Sequence, residues 1–252
     1  MALMRKDPSM FYQFMNFSQF EKFDAAIQTF IDIYGRDKVF VADHLIAFDR
    51  NMTFAKDPEF VRHFTAAAKR PSEKSILWRL HILCWAARHA QKIEGDFVEC
   101  GVYEAFSSKV LTRYLKFEKL PKTLWLYDLF DHASETSGVE MVGHGASLAD
   151  RVAASFSDYP NVKVIKGFIP HSFAQGAPDR VSWFHLDLNS ATAETAALEV
   201  LFDRMSPGAI LILDDYGWSG YSGQKSAADV FVNARGHSIL ELPTGQGLLI
   251  KR

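Results

Sequence analysis

Asp96-Phe97-Val98-Glu99-Cys100-Gly101 is a short apolar run that ends on an acid and a glycine, and its form recurs twice downstream. Trp183-Phe184-His185-Leu186-Asp187 and Ala209-Ile210-Leu211-Ile212-Leu213-Asp214-Asp215 also run apolar and then close on carboxylates. Continuous apolar runs of this length suit the inner strands of a parallel sheet covered by helices on both faces. In open sheets of that kind the ligand sits beyond the carboxyl ends of the strands, so acids placed there converge on one crevice.

Working outward, the same beat continues. Strands are expected at 123–127, 161–165, 181–186 and 209–213, with helices over 107–115 and 194–205; in the latter Ala197, Leu198, Leu201 and Phe202 make one apolar face. Ser238–Leu242 and Gly247–Lys251 flank Pro243-Thr244-Gly245-Gln246, which reads as a hairpin turn. Upstream, Leu77, Leu80, Cys84, Ala87 and Gln91 share a face of a helix that starts around Ser72–Ser75 and is expected to stop near Gly95. Residues 72–252 therefore read as one α/β domain and residues 1–71 as a helical extension serving as lid or oligomer contact. In that extension Phe11, Phe14, Phe17, Phe20 and Phe23 recur every third residue, so the stripe drifts about 60° per step and sweeps about 240°. One supporting surface cannot cover it, which points to a second chain or a lid; a well-buried helix is the competing reading. Val39–Ile46 fits either a strand or a loop.

Composition narrows the partners. Lys and Arg number 28 against 30 Asp and Glu, a formal charge of −2, with no basic run. Nucleic acid and anionic membrane both need a basic footprint. No apolar run approaches the roughly 20 residues that span a bilayer, and the first residues lack the layout of a secretion signal. A cytoplasmic protein is expected. Cys84 and Cys100 lie in apolar segments, as reduced core thiols do.

Glu99-Cys100-Gly101-Val102-Tyr103-Glu104-Ala105 is a degenerate glycine turn without a G-K-[ST] sequence. That favours a cofactor without pyrophosphate, and S-adenosylmethionine fits. Asp128 ends the second strand, where an acid accepts hydrogen bonds from both ribose hydroxyls of an adenosyl group, or serves as a turn or cap residue.

Gly95–Val102, Leu126-Tyr127-Asp128-Leu129-Phe130, Lys166-Gly167-Phe168-Ile169-Pro170, His185-Leu186-Asp187 and Ile212-Leu213-Asp214-Asp215-Tyr216-Gly217 resemble, in order, the motifs of the macrocin O-methyltransferase (TylF-type) family. The resemblance implies a Rossmann-like methyltransferase fold: a mostly parallel seven-stranded sheet with an antiparallel C-terminal hairpin. It implies an S-adenosylmethionine-dependent, Mg²⁺-dependent O-methyltransferase acting on a hydroxyl of a sugar or glycosylated small molecule. Asp187, Asp214 and Asp215 would be the metal ligands, and Glu99, Gly101, Tyr103, Ser107, Asp128, Gly167 and Phe168 would line the cofactor site. Three carboxylates without a His or Cys spacing pattern suit a hard cation, and their mutual repulsion is removed by one. Helix capping and a basic partner are the structural alternative for these acids.

The general base is Asp187 or, second, His144 in the glycine-rich stretch 138–147, a candidate lid. His185 is expected to face the core and His171 to cap a turn. Ala105-Phe106 stand where the family often has two glycines, and Leu188-Asn189-Ser190-Ala191 where it commonly has Gly-Asp-Leu-Tyr, so the acceptor is not implied by the family. The aromatic loop Tyr216–Tyr221 suits stacking on an acceptor ring or plain surface packing, and Gln224 and Lys225 suit acceptor contacts or a helix start. A catechol-type O-methyltransferase and an inactive binding module are the rival readings, and a homo-oligomer is expected.

Overall fold

The computed structural model describes residues 20–131, 145 and 147–252. The chain divides into two compact units, Met1–His81 and Ile82–Arg252.

In the first unit α1 (Phe20–Tyr34) precedes a hairpin of β1 (Val39–Ala42) and β2 (Leu45–Phe48). The stretch that fitted either strand or loop is thus two strands, so the extension is not wholly helical. Its two-residue turn, Asp43-His44, has φ of 49° and 58°, the doubly left-handed turn that matches strand twist. Ile27, Val39 and Val41 form a small core with Phe23, Phe30, Ile31 and Tyr34 packed on it. Of the phenylalanine stripe, Phe11, Phe14 and Phe17 lie outside the described residues.

Next, α2 (Pro58–Ala67) starts at Asp57, whose carboxylate accepts from the amides of Glu59 and Phe60 at 2.9 and 3.1 Å. The single helix expected from Ser72 to near Gly95 is instead two, α3 (Pro71–Ser75) and α4 (Leu77–Ala90). Glu73 sets the first: its Oε2 accepts from the amides of Lys69 and Arg70 at 2.7 and 2.8 Å, so the cap is Arg70 and not a serine. Gly95 is not a helix stop but leads into the next strand at φ +114°.

The second unit is built on β3 (Asp96–Cys100), α5 (Phe106–Leu115), β4 (Leu124–Asp128), α6 (Leu148–Ala154), β5 (Val162–Lys166) and β6 (Val181–Leu186). It continues with α7 (Ala191–Leu201), β7 (Met205–Leu213), α8 (Ser222–Asn233), β8 (Leu240–Glu241) and β9 (Gly247–Ile250). The seven strands order as β5-β4-β3-β6-β7-β9-β8. β3 to β7 run parallel, while β9 is antiparallel to both β7 and β8. This is the α/β, Rossmann-like methyltransferase architecture expected from the sequence.

Every residue of the central strand β6 is buried, as its unbroken apolar run requires. Val98, Cys100, Phe184, Leu186, Leu211 and Leu213 face one core with Ala197, Leu198 and Leu201 of α7 and Ala228, Phe231 and Val232 of α8. Each large apolar side chain buried there contributes about 1.5–3 kcal/mol. Polar pins fix the register at the amino edge: Asp96 accepts from the Thr123 amide at 2.8 Å and the Trp125 indole at 2.9 Å. Among the described residues no helix is long and apolar enough to cross a membrane.

Candidate active site

Strand order decides which acids meet. The crossover that sets β6 beside β3, with β7 next to β6, puts the carboxyl ends of β3, β6 and β7 side by side. The ladder continues one residue past them, with the Asp187 amide donating to the Cys100 carbonyl at 2.8 Å and the Asp214 amide to the Leu186 carbonyl at 2.9 Å. Both acids therefore leave the sheet from backbone that is held on each side. His185, Asp187 and Asp214 offer ligand-type atoms within 4.8 Å of one another. Asp215, half-buried, is not part of that cluster.

Gly101 makes the crevice possible. Its φ is +90°, and a Cβ there would overlap the carbonyl of Asp187, so only glycine lets the first turn pass this close to β6. Around it Tyr103 (φ 50°), Ala105 (60°), Phe130 (56°) and Asn189 (53°) are left-handed non-glycine residues, all in loops at the carboxyl ends of β3, β4 and β6. Such strained residues gather where a site is built. Asp128 holds the turn shut: one carboxylate oxygen accepts from the amides of Val102 and Tyr103 at 2.6 and 2.8 Å, the other from Phe130 at 2.6 Å. An ionised carboxylate has about four acceptor positions, so Asp128 does the work of a turn residue and retains room for a ribose hydroxyl. Helix α5 begins at Ala105 without a side-chain cap, and Ser107 lies half-buried in its first turn.

Beneath the crevice runs a buried polar chain on one face of the sheet. Glu99 and His185 are register partners. Glu99 accepts from the Ser108 hydroxyl and lies 3.0 Å from His185 Nδ1; it is 2% exposed and so turned inward. His185 Nε2 lies 3.5 Å from Asp214 Oδ1. Burial opposes charge on this ring, but the neighbouring Asp214 and Glu99 carboxylates outweigh it and push its pKa up to about 10. Of the three clustered residues, Asp187 and Asp214 are carboxylates, the oxygen donors that suit a hard divalent cation. The neighbouring Cys100 thiol is pushed up by burial and then by Glu99, Asp128 and Glu194. Both cysteines are free and buried.

The remaining candidates are dispersed. The Gly167 amide donates to the Asp128 carbonyl at 2.9 Å, which brings it to the same edge, and Phe168 beside it is exposed. His144 lies outside the described residues. His171 is exposed in a 3₁₀ turn. Tyr216 turns inward, its hydroxyl donating to Asp229 at 2.6 Å under the Lys225 ammonium, and Gln224 donates to Glu194 at 2.7 Å. These three tie the loop to α7 and α8. Sequence reasoning missed Ser108, the polar partnership of His185, and Gln246 with Thr244. A glutamine and a threonine in a turn carry no signal by themselves, although Ser108 could have been found as the residue three past an uncapped helix start.

The sequence profile of the family described as macrocin-O-methyltransferase (TylF) matches residues 79–239. The chain is 30% identical over 143 residues to the 8-demethyl-8-(2,3-dimethoxy-alpha-L-rhamnosyl)-tetracenomycin-C 4'-O-methyltransferase of Streptomyces olivaceus, a stretch covering 50% of this chain and 55% of that protein. It thus spans about half the length of the curated relative it matches. The fold is similar to that of the O-methyltransferase NovP, with a TM-score of 0.61 at 15% identity over 90% of this chain and 98% of that one. It is also similar to the Bacillus cereus O-methyltransferase in complex with SAH, with a TM-score of 0.53 at 13% identity over 92% and 99%. With more than half of its length matched by that profile, the chain belongs to the macrocin-O-methyltransferase (TylF) family.

Proposed function

We propose that this protein is an S-adenosylmethionine-dependent O-methyltransferase acting on a hydroxyl of a sugar or glycosylated small molecule, with Mg²⁺ held by Asp187 and Asp214 and, on rearrangement of its side chain, Asp215. The convergence of Asp187 and Asp214 beside the Gly101 turn carries this reading. The sugar-methylating relative supports the acceptor class. When bound, the sulfonium supplies the methyl group and the cation acidifies the acceptor hydroxyl.

The chain's own residues do the rest. Asp128 and Gly101 shape the turn against which the adenosyl group lies, with Glu99 bracing it from below. The uncapped first turn of α5 presents backbone N–H groups to the cofactor's carboxylate. Asp187 would accept the proton of the acceptor hydroxyl, and the bound cofactor would supply the methyl group to that oxygen and leave as S-adenosylhomocysteine. Holding the acceptor hydroxyl in place beside the cofactor would supply much of the rate.

Calorimetric titration tests this. Wild-type protein is expected to bind S-adenosylmethionine at micromolar concentration, and Mg²⁺ in the presence of S-adenosylhomocysteine; Asp214→Ala should keep the first and lose the second. Cofactor binding with no Mg²⁺ site in the wild type would overturn the metal assignment.

The protein acts in the cytoplasm as a homo-oligomer in this reading, with residues 1–71 supplying contacts through the phenylalanine stripe. Removal of the first 25 or so residues should lower the mass measured by light scattering, and an unchanged mass would count against it.

A further inference from the structure

Resting on the metal reading of Asp214, we propose that the turn between β8 and β9 is a latch that sets the cation site, with Gln246 as the positioning residue and Thr244 as its lock. Gln246 is fully buried and Thr244 nearly so, in a turn that exposed residues ordinarily fill. The Thr244 hydroxyl donates to Gln246 Oε1 at 3.0 Å. That fixes which end of the amide faces which way, because the oxygen is taken and the NH₂ end must point onward. It donates to Asp214 Oδ1 at 2.8 Å.

The turn itself is pressed against the loop that follows Asp214. The Gly217 amide donates to the Gly245 carbonyl at 2.7 Å, and a Cβ on Gly245 would overlap the Trp218 indole. Leu213 pairs with Gly247 across the β7–β9 ladder, so Gln246 enters from a strand in register with the one that ends at Asp214. These contacts leave the latch no freedom to follow a moving carboxylate.

Its effect follows from competition for one oxygen. His185 Nε2 approaches the same Oδ1 but stops at 3.5 Å, beyond hydrogen-bond length, while Gln246 holds it at 2.8 Å. Without Gln246 the Asp214 carboxylate loses the 2.8 Å bond that fixes its orientation, and its oxygens are no longer held in place beside Asp187. Gln246 lies outside residues 79–239, the stretch matched by the family profile.

Mg²⁺ titration in the presence of S-adenosylhomocysteine tests it with Gln246→Met, Thr244→Val and Thr244→Ser, beside Asp187→Ala as control. Gln246→Met should weaken Mg²⁺ binding about 10–100-fold, the range for groups that orient a ligand. Thr244→Val should weaken it less and Thr244→Ser, which keeps the hydroxyl, should restore it. The S-adenosylhomocysteine affinity should stay within about twofold throughout, which also reports that each variant is folded. Should Gln246→Met not fold, the Thr244 pair decides alone. Wild-type Mg²⁺ affinity in Gln246→Met or Thr244→Val, with binding lost in Asp187→Ala, overturns the latch and leaves the metal site standing. Unchanged affinity in Asp187→Ala as well overturns both.

Discussion

Asp187→Asn is expected to slow methyl transfer by about 10²–10⁴-fold, the usual worth of a positioned base, while S-adenosylhomocysteine binds as in the wild type. The substitution keeps the side chain's shape and the backbone bond from the Asp187 amide to the Cys100 carbonyl, so the crevice stays built. Two roles are merged in this carboxylate, and the cation separates them. If Asp187 only helped to hold Mg²⁺, raising the Mg²⁺ concentration would restore the rate. A deficit that persists at saturating Mg²⁺ is the expected result and belongs to proton removal. The measurement is the initial rate of S-adenosylhomocysteine release with a hydroxyl acceptor that the wild type turns over, followed across a Mg²⁺ series.

The second large effect is on the fold of the site. Gly101→Ala should lower the unfolding free energy by about 3 kcal/mol, from a left-handed residue that now carries a Cβ together with an overlap that forces backbone apart. The overlap is with the Asp187 carbonyl, so relief requires the ends of β3 and β6 to separate. Affinity for S-adenosylhomocysteine and for Mg²⁺ should fall together, unlike in any variant of the acids alone. Denaturant melts and paired titrations on the same preparation check this. An alanine variant of wild-type stability would show that the turn has another conformation open to it.

The difference between these two residues also explains what could be read in advance. Asp187 and Asp214 were legible because strand runs and their terminal acids are local patterns, and the rule that parallel sheets bind beyond their carboxyl ends does the rest. The hairpin at 240–250 was legible for the same reason. Glu99 was found as a residue but its direction was not, because its partner His185 is 86 positions away and only the β3–β6 register brings them together. Gln246 was hidden for a like reason. The β1–β2 turn escaped because Asp43 and His44 take left-handed conformations without the Asn-Gly pair that usually announces them. The start of α3 depends on Glu73 reaching back to two amides, and the helix breaks where Ile76 leaves helical geometry (φ −98°, ψ 32°), neither of which periodicity in the apolar residues records.

The antiparallel strand β9 has a consequence for how the protein is made. The β3–α5–β4 and β6–α7–β7 units lie ahead of β9 in the chain and leave the ribosome first, and Asp214 meets Gln246 only after 32 more residues have followed it. A growing chain therefore delivers its parallel strands before its carboxylates are held in position. In a chain emerging from the ribosome, the proposed cation site is therefore completed only by the arrival of the turn before β9.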